Sequence, residues 1–252
     1  MNPHAHWRQW LLITSAISLA VLALIFSPIH QSGNFYAYAD QRAYLSIPNF
    51  WNVITNLPFL WVGWLGIMTA SRRNASNTPE RYKGYTLFYW GLIGTFVGSS
   101  LYHLVPGPFT LMLDRIPITI SFISLYCVVL TEYISPTIGK KLLLPLLAYG
   151  VISVGYWYIT DLGPEKGNMA AYVLVQVIPI VHLPLILWCY SDRYGHSRLY
   201  ALALILYLLA KWAESSDEIL YDLLGFSGHS LKHLFAALGG YCIYLNWRPK
   251  LQ

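Results

Sequence analysis

The chain has 252 residues, of which 56% are hydrophobic, 16% aromatic and only 11% charged, with a net charge of +5. Soluble domains carry about 25% charged residues, so this composition excludes an ordinary soluble protein. It also excludes a disordered chain, a disulfide-stapled secreted module and a nucleic-acid binder, because these classes need many polar, charged or cysteine residues. The composition therefore predicts a protein that crosses a membrane several times.

Eight segments are apolar over the roughly 20 residues that a helix needs to cross a hydrocarbon core of about 30 Å. They are residues 9–29, 50–70, 84–105, 110–132, 142–160, 170–190, 198–217 and 229–247. Stretches rich in Pro, Gly or polar residues mark most of the breaks between them. Open sheets cannot span lipid, and no alternating pattern indicates a barrel. The sequence therefore predicts an all-α, polytopic membrane helical bundle.

The first predicted span has features of a secretory signal peptide, because Arg8 precedes an apolar run over residues 11–26. No A-x-A-like cleavage site follows it at residues 27–34. We therefore expect a retained anchor helix.

Basic residues are concentrated in the loops on one side of the predicted bundle. Only Arg42 and Lys166 lie on the other side. The positive-inside rule then predicts that both termini are cytoplasmic, and it accounts for most of the net charge without nucleic-acid binding. The residues on the basic side are Arg8, Arg72, Arg73, Arg81, Lys83, Lys140, Lys141, Arg193, Arg198, Arg248 and Lys250.

Several polar residues lie within or at the ends of the predicted spans, where such residues are costly and indicate a functional site. Ser99 and His103 close the third span and, four residues apart, share one helical face. A short Pro-Gly-Pro connection then folds the chain back and places Asp114, at the start of the fourth span, at a similar depth. Two plainer interpretations stay open: Ser99 can bond a backbone carbonyl, and Asp114 can pair with Arg115 at the interface.

The last span begins with His229 and His233, whose spacing lets both imidazoles bind one metal ion. This end lies on the same predicted, extracytoplasmic side as His103, Ser99 and Asp114. Three histidine ligands leave the fourth position of tetrahedral zinc to a water molecule, whose pKa falls towards ~7. We therefore predict a metal site built from His103, His229 and His233.

Other polar residues receive structural interpretations. His182 is predicted to be a packing or hydrogen-bonded histidine, and Lys211 and Glu214 a structural ion pair at i, i+3. The cysteines lack CxxC spacing and are interpreted as small buried hydrophobes: Cys127, Cys189 and Cys242. Two further groups are predicted to be solvated: the histidines outside the spans (His4, His6, His30, His196) and an acidic face at the mouth of the bundle (Asp217, Glu218, Asp222).

These motifs together resemble the alkaline ceramidase family of the CREST superfamily of membrane hydrolases. The likeness lies in Ser99-x-x-x-His103, in Asp114 within Leu-Asp-Arg-Ile-Pro, and in His229-x-x-x-His233. Residues 49–57 are similar to the family's first-helix signature, and residues 227–233 to the form common in its bacterial branch. The resemblance implies seven transmembrane helices. We therefore divide the chain into an anchor helix and linker, 1–35, and a seven-helix ceramidase-like membrane domain, 36–252.

The resemblance implies Zn²⁺ held by His103, His229 and His233, with Ser99 and Asp114 at the metal-bound water and Asp114 as proton acceptor. It implies hydrolysis of the amide of ceramide, or of a similar N-acyl lipid, to a long-chain base and a fatty acid. The bacterial-type motif and short loops favour a bacterial inner membrane with the site towards its extracytoplasmic side. The sequence leaves the oligomeric state open.

One part of the resemblance fails. Eukaryotic ceramidases have an acidic, calcium-binding stretch ahead of the first family helix. Here that stretch is residues 36–42, in which Asp40 is the one acidic residue, and Asn49 stands where an acidic residue is usual. A calcium site is therefore not expected.

Two other functions compete with a hydrolase. A receptor-like or regulatory protein of the same superfamily would hold a structural zinc, normally closed by four protein ligands. A transporter would carry intramembrane charges along the full depth of the bundle, whereas here they concentrate near one side.

Overall fold

A computed structural model of the chain describes residues 6–31, 36–72, 79–163 and 166–248. Within these ranges the regular structure is helical, and α5 continues into a π-helical turn, Leu130–Ile134. His4, Arg73, Lys250 and part of the predicted linker, 32–35, lie outside the described residues. The helices are α1 Trp7–Ile25, α2 Phe50–Ile54, α3 Leu57–Arg72, α4 Pro79–Leu104, α5 Pro108–Val129, α6 Pro136–Asp161, α7 Ala170–Cys189, α8 Ser197–Ser215, α9 Asp217–Leu224 and α10 Gly228–Trp247.

The all-α membrane bundle predicted from composition is confirmed. Five spans are long and apolar enough to cross a membrane: α1, α2 with α3, α5 with its π-helical turn, α6 and α7. A sixth arises if α8 and α9, which meet at a bend of 84°, form one broken span. Helices α4 and α10, with 26 and 20 residues, have the length to span but are not among the helices apolar enough to be counted. The count of eight spans stays a prediction.

Helices α4 and α5 pack closely because α4 has a glycine at the contact. A Cβ atom on Gly98 would lie 2.3 Å from the carbonyl oxygen of Leu113 and 3.0 Å from the Cα atom of Asp114. Any side chain at Gly98 would therefore push the two helices apart. This close approach brings Ser99 and His103 beside Asp114.

The N-terminal helix α1 packs against α7. Ser15 of α1 bonds the Nε2 atom of His182 at 3.0 Å, and the hydroxyl of Tyr126 on α5 bonds its Nδ1 atom at 2.6 Å. The prediction that His182 is a hydrogen-bonded structural histidine is therefore confirmed. Two of the cysteines, Cys127 and Cys242, are also buried as predicted, whereas the third is partly buried.

A buried carboxylate joins several elements at the end of the bundle opposite the predicted site. Glu132 lies in the π-helical turn after α5, and its side chain has no exposed surface. It accepts hydrogen bonds from Arg81 and Tyr85 of α4 and from Tyr200 of α8, and it pairs with His196 at 2.9 Å. Glu132 therefore ties α4, α5 and α8 together.

The prediction that His196 is solvated is wrong, because the segment between α7 and α8 turns inwards and buries it. The carboxylate of Asp192 accepts backbone hydrogen bonds from residues 194–197, which form a tight turn. Burial raises the pKa of Asp192, but these hydrogen bonds outweigh it and hold the pKa well below its ordinary value. The turn places His196, only 4% exposed, against Glu132. By contrast, His6 and His30 are exposed, as predicted.

Candidate metal centre

Three histidines converge at one end of the bundle. His103 lies in the last turn of α4, and His229 and His233 lie in the first turns of α10. All three are at most 5% exposed, and one ring nitrogen from each lies within 4.8 Å of the others. Among the described residues, neither ring nitrogen of His103 has a hydrogen-bond partner. Buried polar atoms normally have partners, so a metal ion fits this set of donors.

Thr55, in the break between α2 and α3, holds the ring of His233 in place. Its hydroxyl donates to the carbonyl oxygen of Trp51 at 2.7 Å, and its oxygen lies 2.9 Å from Nδ1 of His233. Since the single hydroxyl proton is already used, Thr55 accepts from an Nδ1–H group. That tautomer leaves Nε2 of His233 with a lone pair for a metal ion.

We expect Thr55→Val to lower the affinity for a divalent metal by about 10- to 100-fold, the usual effect of removing a group that orients a ligand imidazole. The isosteric valine removes the acceptor for Nδ1–H but keeps the packing volume. Titration of the metal-free protein with Zn²⁺ or Co²⁺ measures this. Thr55→Ser keeps the acceptor and should stay close to wild type. Equal affinity in the valine and serine variants would contradict the orienting role.

Lys232 contacts His229, the other histidine of α10. Its Nζ atom lies 2.9 Å from Nε2 of His229, and because an ammonium group only donates, that nitrogen is the acceptor. A neutral imidazole has one nitrogen with a lone pair, so a metal ion bound to His229 would replace this bond. Lys232 also donates to Glu214 at 3.0 Å, and Glu214 pairs with Lys211. The predicted Lys211–Glu214 ion pair is therefore confirmed, but the sequence did not indicate that Lys232 joins it.

Asp217 was predicted to be part of a solvated face, and this is wrong. It is partly buried, and its Oδ1 atom accepts from the hydroxyl of Ser227 at 2.7 Å and from the backbone N–H of His229 at 2.9 Å. The sharp bend between α8 and α9 turns Asp217 towards the N-terminus of α10, where unpaired N–H groups favour a carboxylate. Asp217 thus fixes the helix that carries two histidines. Glu218 and Asp222 are exposed, as predicted.

The segment before α2 covers the histidines. The ring of Tyr38 lies 4.9 Å from that of His103 and 5.0 Å from that of His229, measured between centroids. The backbone N–H of Ala39 donates to Asp217 at 3.0 Å. Tyr38 is 4% exposed, so this segment seals one side of the centre.

Arg42 forms an ion pair with the carboxylate of Asp40 in the same segment. Its guanidinium donates to both carboxylate oxygens, at 2.9 and 2.6 Å, and to the carbonyl oxygen of Gly225 at 2.8 Å. Burial raises the pKa of Asp40, but the hydrogen bonds and charge of Arg42 outweigh it and hold that pKa below its ordinary value. Asn49 donates its amide to the carbonyl oxygen of His103. The absence of a calcium site stays a prediction, and these contacts favour it.

Ser99 and Asp114 are both buried and line the same cavity as His233. The Ser99 side chain faces the Asp114 carboxylate, whose Oδ1 atom has no hydrogen-bond partner within the described ranges. The neighbouring Arg115 bonds Gln31 and lies over the ring of Trp157 at 4.0 Å. The structure thus brings all five predicted residues to one end of the bundle.

The cavity has a volume of about 690 Å³ and lies between α4, α5, α7, α8 and α10. Its walls are mainly apolar, and its charged side chains lie towards the end that holds the histidines. Ligand pockets of proteins have about 300–1,000 Å³ and the same combination of apolar walls with a few polar groups. The cavity can therefore hold an apolar ligand with one polar end.

The fold and the site define the class of this protein: a helical membrane protein with a buried three-histidine centre beside an apolar cavity. The family model described as Ceramidase matches residues 43–248, and the chain belongs to the ceramidase family. The family identifies it as a hydrolase of amide bonds, and ceramide as the family's substrate. No curated protein sequence matches the chain significantly.

Proposed function

We propose that the protein is a zinc-dependent intramembrane hydrolase that cleaves the amide of ceramide or a related N-acyl lipid into a long-chain base and a fatty acid. One observation carries the proposal. Three buried histidines offer one nitrogen each within 4.8 Å of the others, beside a cavity that also contains Ser99 and Asp114. Family membership supports the amide as the bond that is cleaved.

The residues of the site suit hydrolysis of an amide. Zinc, when bound by His103, His229 and His233, would act as a Lewis acid and lower the pKa of water. Asp114 would accept a proton from the attacking water and pass it to the leaving amine. Ser99 would donate a hydrogen bond to the carbonyl oxygen as negative charge develops on it.

The apolar walls of the cavity support a lipid substrate, because an acyl chain from the bilayer keeps apolar surroundings there, whereas a polar ligand would lose its hydrogen bonds. We propose that both termini are cytoplasmic and that the site faces the extracytoplasmic side of a bacterial inner membrane. The charge of the loops supports this orientation, since basic residues collect at the end of the bundle opposite the histidines.

The receptor-like alternative requires a zinc site closed by four protein ligands. Among the described residues, the side chains that could together hold a metal ion are three histidines. Three ligands suit a catalytic site, which keeps one position open, so the hydrolase is the function that the geometry favours.

Metal analysis together with lipid hydrolysis tests the proposal. The full chain in lipid nanodiscs should contain about one zinc per chain and release fatty acid from N-acyl lipids, with products identified by mass spectrometry. Removal of zinc by a chelator should stop hydrolysis, and added Zn²⁺ should restore it. A zinc-free protein that remains active would overturn the proposal. Zinc without turnover of any N-acyl lipid would favour the receptor-like alternative.

We expect Ser99→Ala to lower kcat by about 10²- to 10³-fold, as removal of one donor to a developing oxyanion usually does. Zinc content should remain at the wild-type level, because the three histidines are unchanged. Turnover and bound zinc are measured on the same preparation. Loss of zinc in this variant would instead show that Ser99 has a structural role.

A further inference from the structure

A charged pair that the proposed reaction does not use lies at the polar end of the cavity. Lys232 donates to Glu214 at 3.0 Å and to Nε2 of His229 at 2.9 Å. The exposed fraction of each side chain of the pair is about one fifth (21% and 20%). The charged residues that line the cavity are Asp114, Arg115, Lys211, Glu214 and Lys232.

The position of Lys232 places it beside the reacting bond. It directly precedes His233 in α10, and its ammonium touches the ring of His229. The apolar part of the cavity, which reaches Tyr200 and Ile243 towards the other end of the bundle, suits an acyl chain. With the acyl chain there and the amide at Ser99 and the histidines, the group on the amine side of the amide lies at the polar end with Lys232.

The charges at this end favour an anion. Three cationic side chains and two carboxylates line the cavity, so the balance is positive before any metal binds. An ammonium group has three N–H donors, and the described residues give Lys232 two acceptors, of which Nε2 of His229 would no longer be available once His229 binds a metal ion. At least one donor therefore remains, and it can form a charge-assisted hydrogen bond, which is strongest to an anionic oxygen. Glu214 holds the ammonium at the cavity wall.

We propose that Lys232 binds an anionic oxygen on the amine side of the scissile amide. The preferred substrates are then N-acyl lipids whose head group carries a phosphate or a carboxylate close to the amide, in preference to neutral ceramide. This inference rests on the proposed amide hydrolase. Lys232 acts in it as a specificity-determining residue, and Glu214 as a positioning residue.

The test compares three substrates with the same acyl chain in zinc-loaded nanodisc samples: ceramide, ceramide 1-phosphate and an N-acylserine. Wild type should have a higher kcat/KM on at least one of the two anionic substrates than on ceramide. The anionic substrate that it prefers identifies the anionic group. Lys232→Met should reduce the ratio of anionic to neutral kcat/KM by about 10- to 100-fold, the effect of losing a hydrogen bond to a charged group. Lys141→Met removes an exposed lysine at the start of α6 and should keep the wild-type ratio.

In the kinetic comparison, the inference is overturned by a wild type that prefers neutral ceramide, or by a Lys232→Met variant that slows all three substrates equally. A binding measurement distinguishes failure of the proposed anion site from failure of the proposed amide hydrolysis. Ketone analogues, with CH₂ in place of the amide N–H, cannot be hydrolysed, and tryptophan fluorescence reports their binding to the metal-free protein. Tighter binding of the anionic analogues, lost in Lys232→Met, would support the anion site even if no N-acyl lipid were hydrolysed. Equal binding of neutral and anionic analogues to wild type would overturn it.

Discussion

Replacing His233 by alanine should remove both bound zinc and lipid hydrolysis. His233 supplies one of three ligands, and the orienting bond from Thr55 shows that its Nε2 atom is available to the centre. Loss of a group that merely orients a ligand lowers metal affinity by about 10- to 100-fold, so loss of the ligand itself should exceed that range. Two imidazoles cannot compensate, because they leave the ion with too few protein donors.

The measurement is zinc content and N-acyl lipid turnover on the same purified sample, with hydrolysis expected to fall in proportion to zinc. His182→Ala is the matched control, because His182 is also a buried histidine (2% exposed) but bonds Ser15 and Tyr126 away from the centre. That variant should lose stability and keep its zinc. If His233→Ala retained zinc while losing activity, His233 would not be a ligand.

The depth of the site along the bundle could be predicted from the sequence. A helix that crosses the membrane rises by a fixed distance per residue, so the position of a residue within a span gives its depth. His103 ends one span, Asp114 begins the next after a Pro-Gly-Pro turn, and His229 begins the last. Depth is one coordinate only. The distance between neighbouring helices depends on local packing, such as the contact at Gly98. The spacing of residues along the sequence does not give this distance.

The errors share a physical cause. His196 was predicted to be solvated because it lies outside the predicted spans, and Asp217 because it ends one of them at the mouth of the bundle. Both segments bend back on the bundle and place these side chains against partners distant in sequence: Asp217, partly buried, against the N-terminus of α10, and His196, buried, against Glu132. Thr55 and Lys232 were within recognised motifs, but their roles depend on atoms of other residues, which only the folded chain brings together.

The second large effect is expected from a substitution of Glu132, and it is an effect on stability. Glu132→Ala should reduce the free energy of unfolding by about 3–5 kcal/mol, the usual result of removing one partner of a buried ion pair. The variant leaves Arg81 and His196 without their carboxylate, with side-chain exposures of only 11% and 5%. The hydroxyls of Tyr85 and Tyr200 also lose an acceptor. Reversible unfolding in mixed detergent measures the difference.

The control is Glu218→Ala, which removes an exposed glutamate of α9 and should change the free energy of unfolding by no more than about 0.5 kcal/mol. The double variant Arg81→Met/Glu132→Leu should recover part of the lost stability, since apolar replacement of a whole buried pair is often tolerated. Additive losses in the double variant would contradict a coupled pair. Because Glu132 contacts the first turns of α4 whereas His103 lies in its last turn, beside His229 and His233 of α10, the folded fraction of Glu132→Ala should still bind zinc. A stability defect with an intact metal centre would therefore separate the residues that hold the bundle from those that act in it.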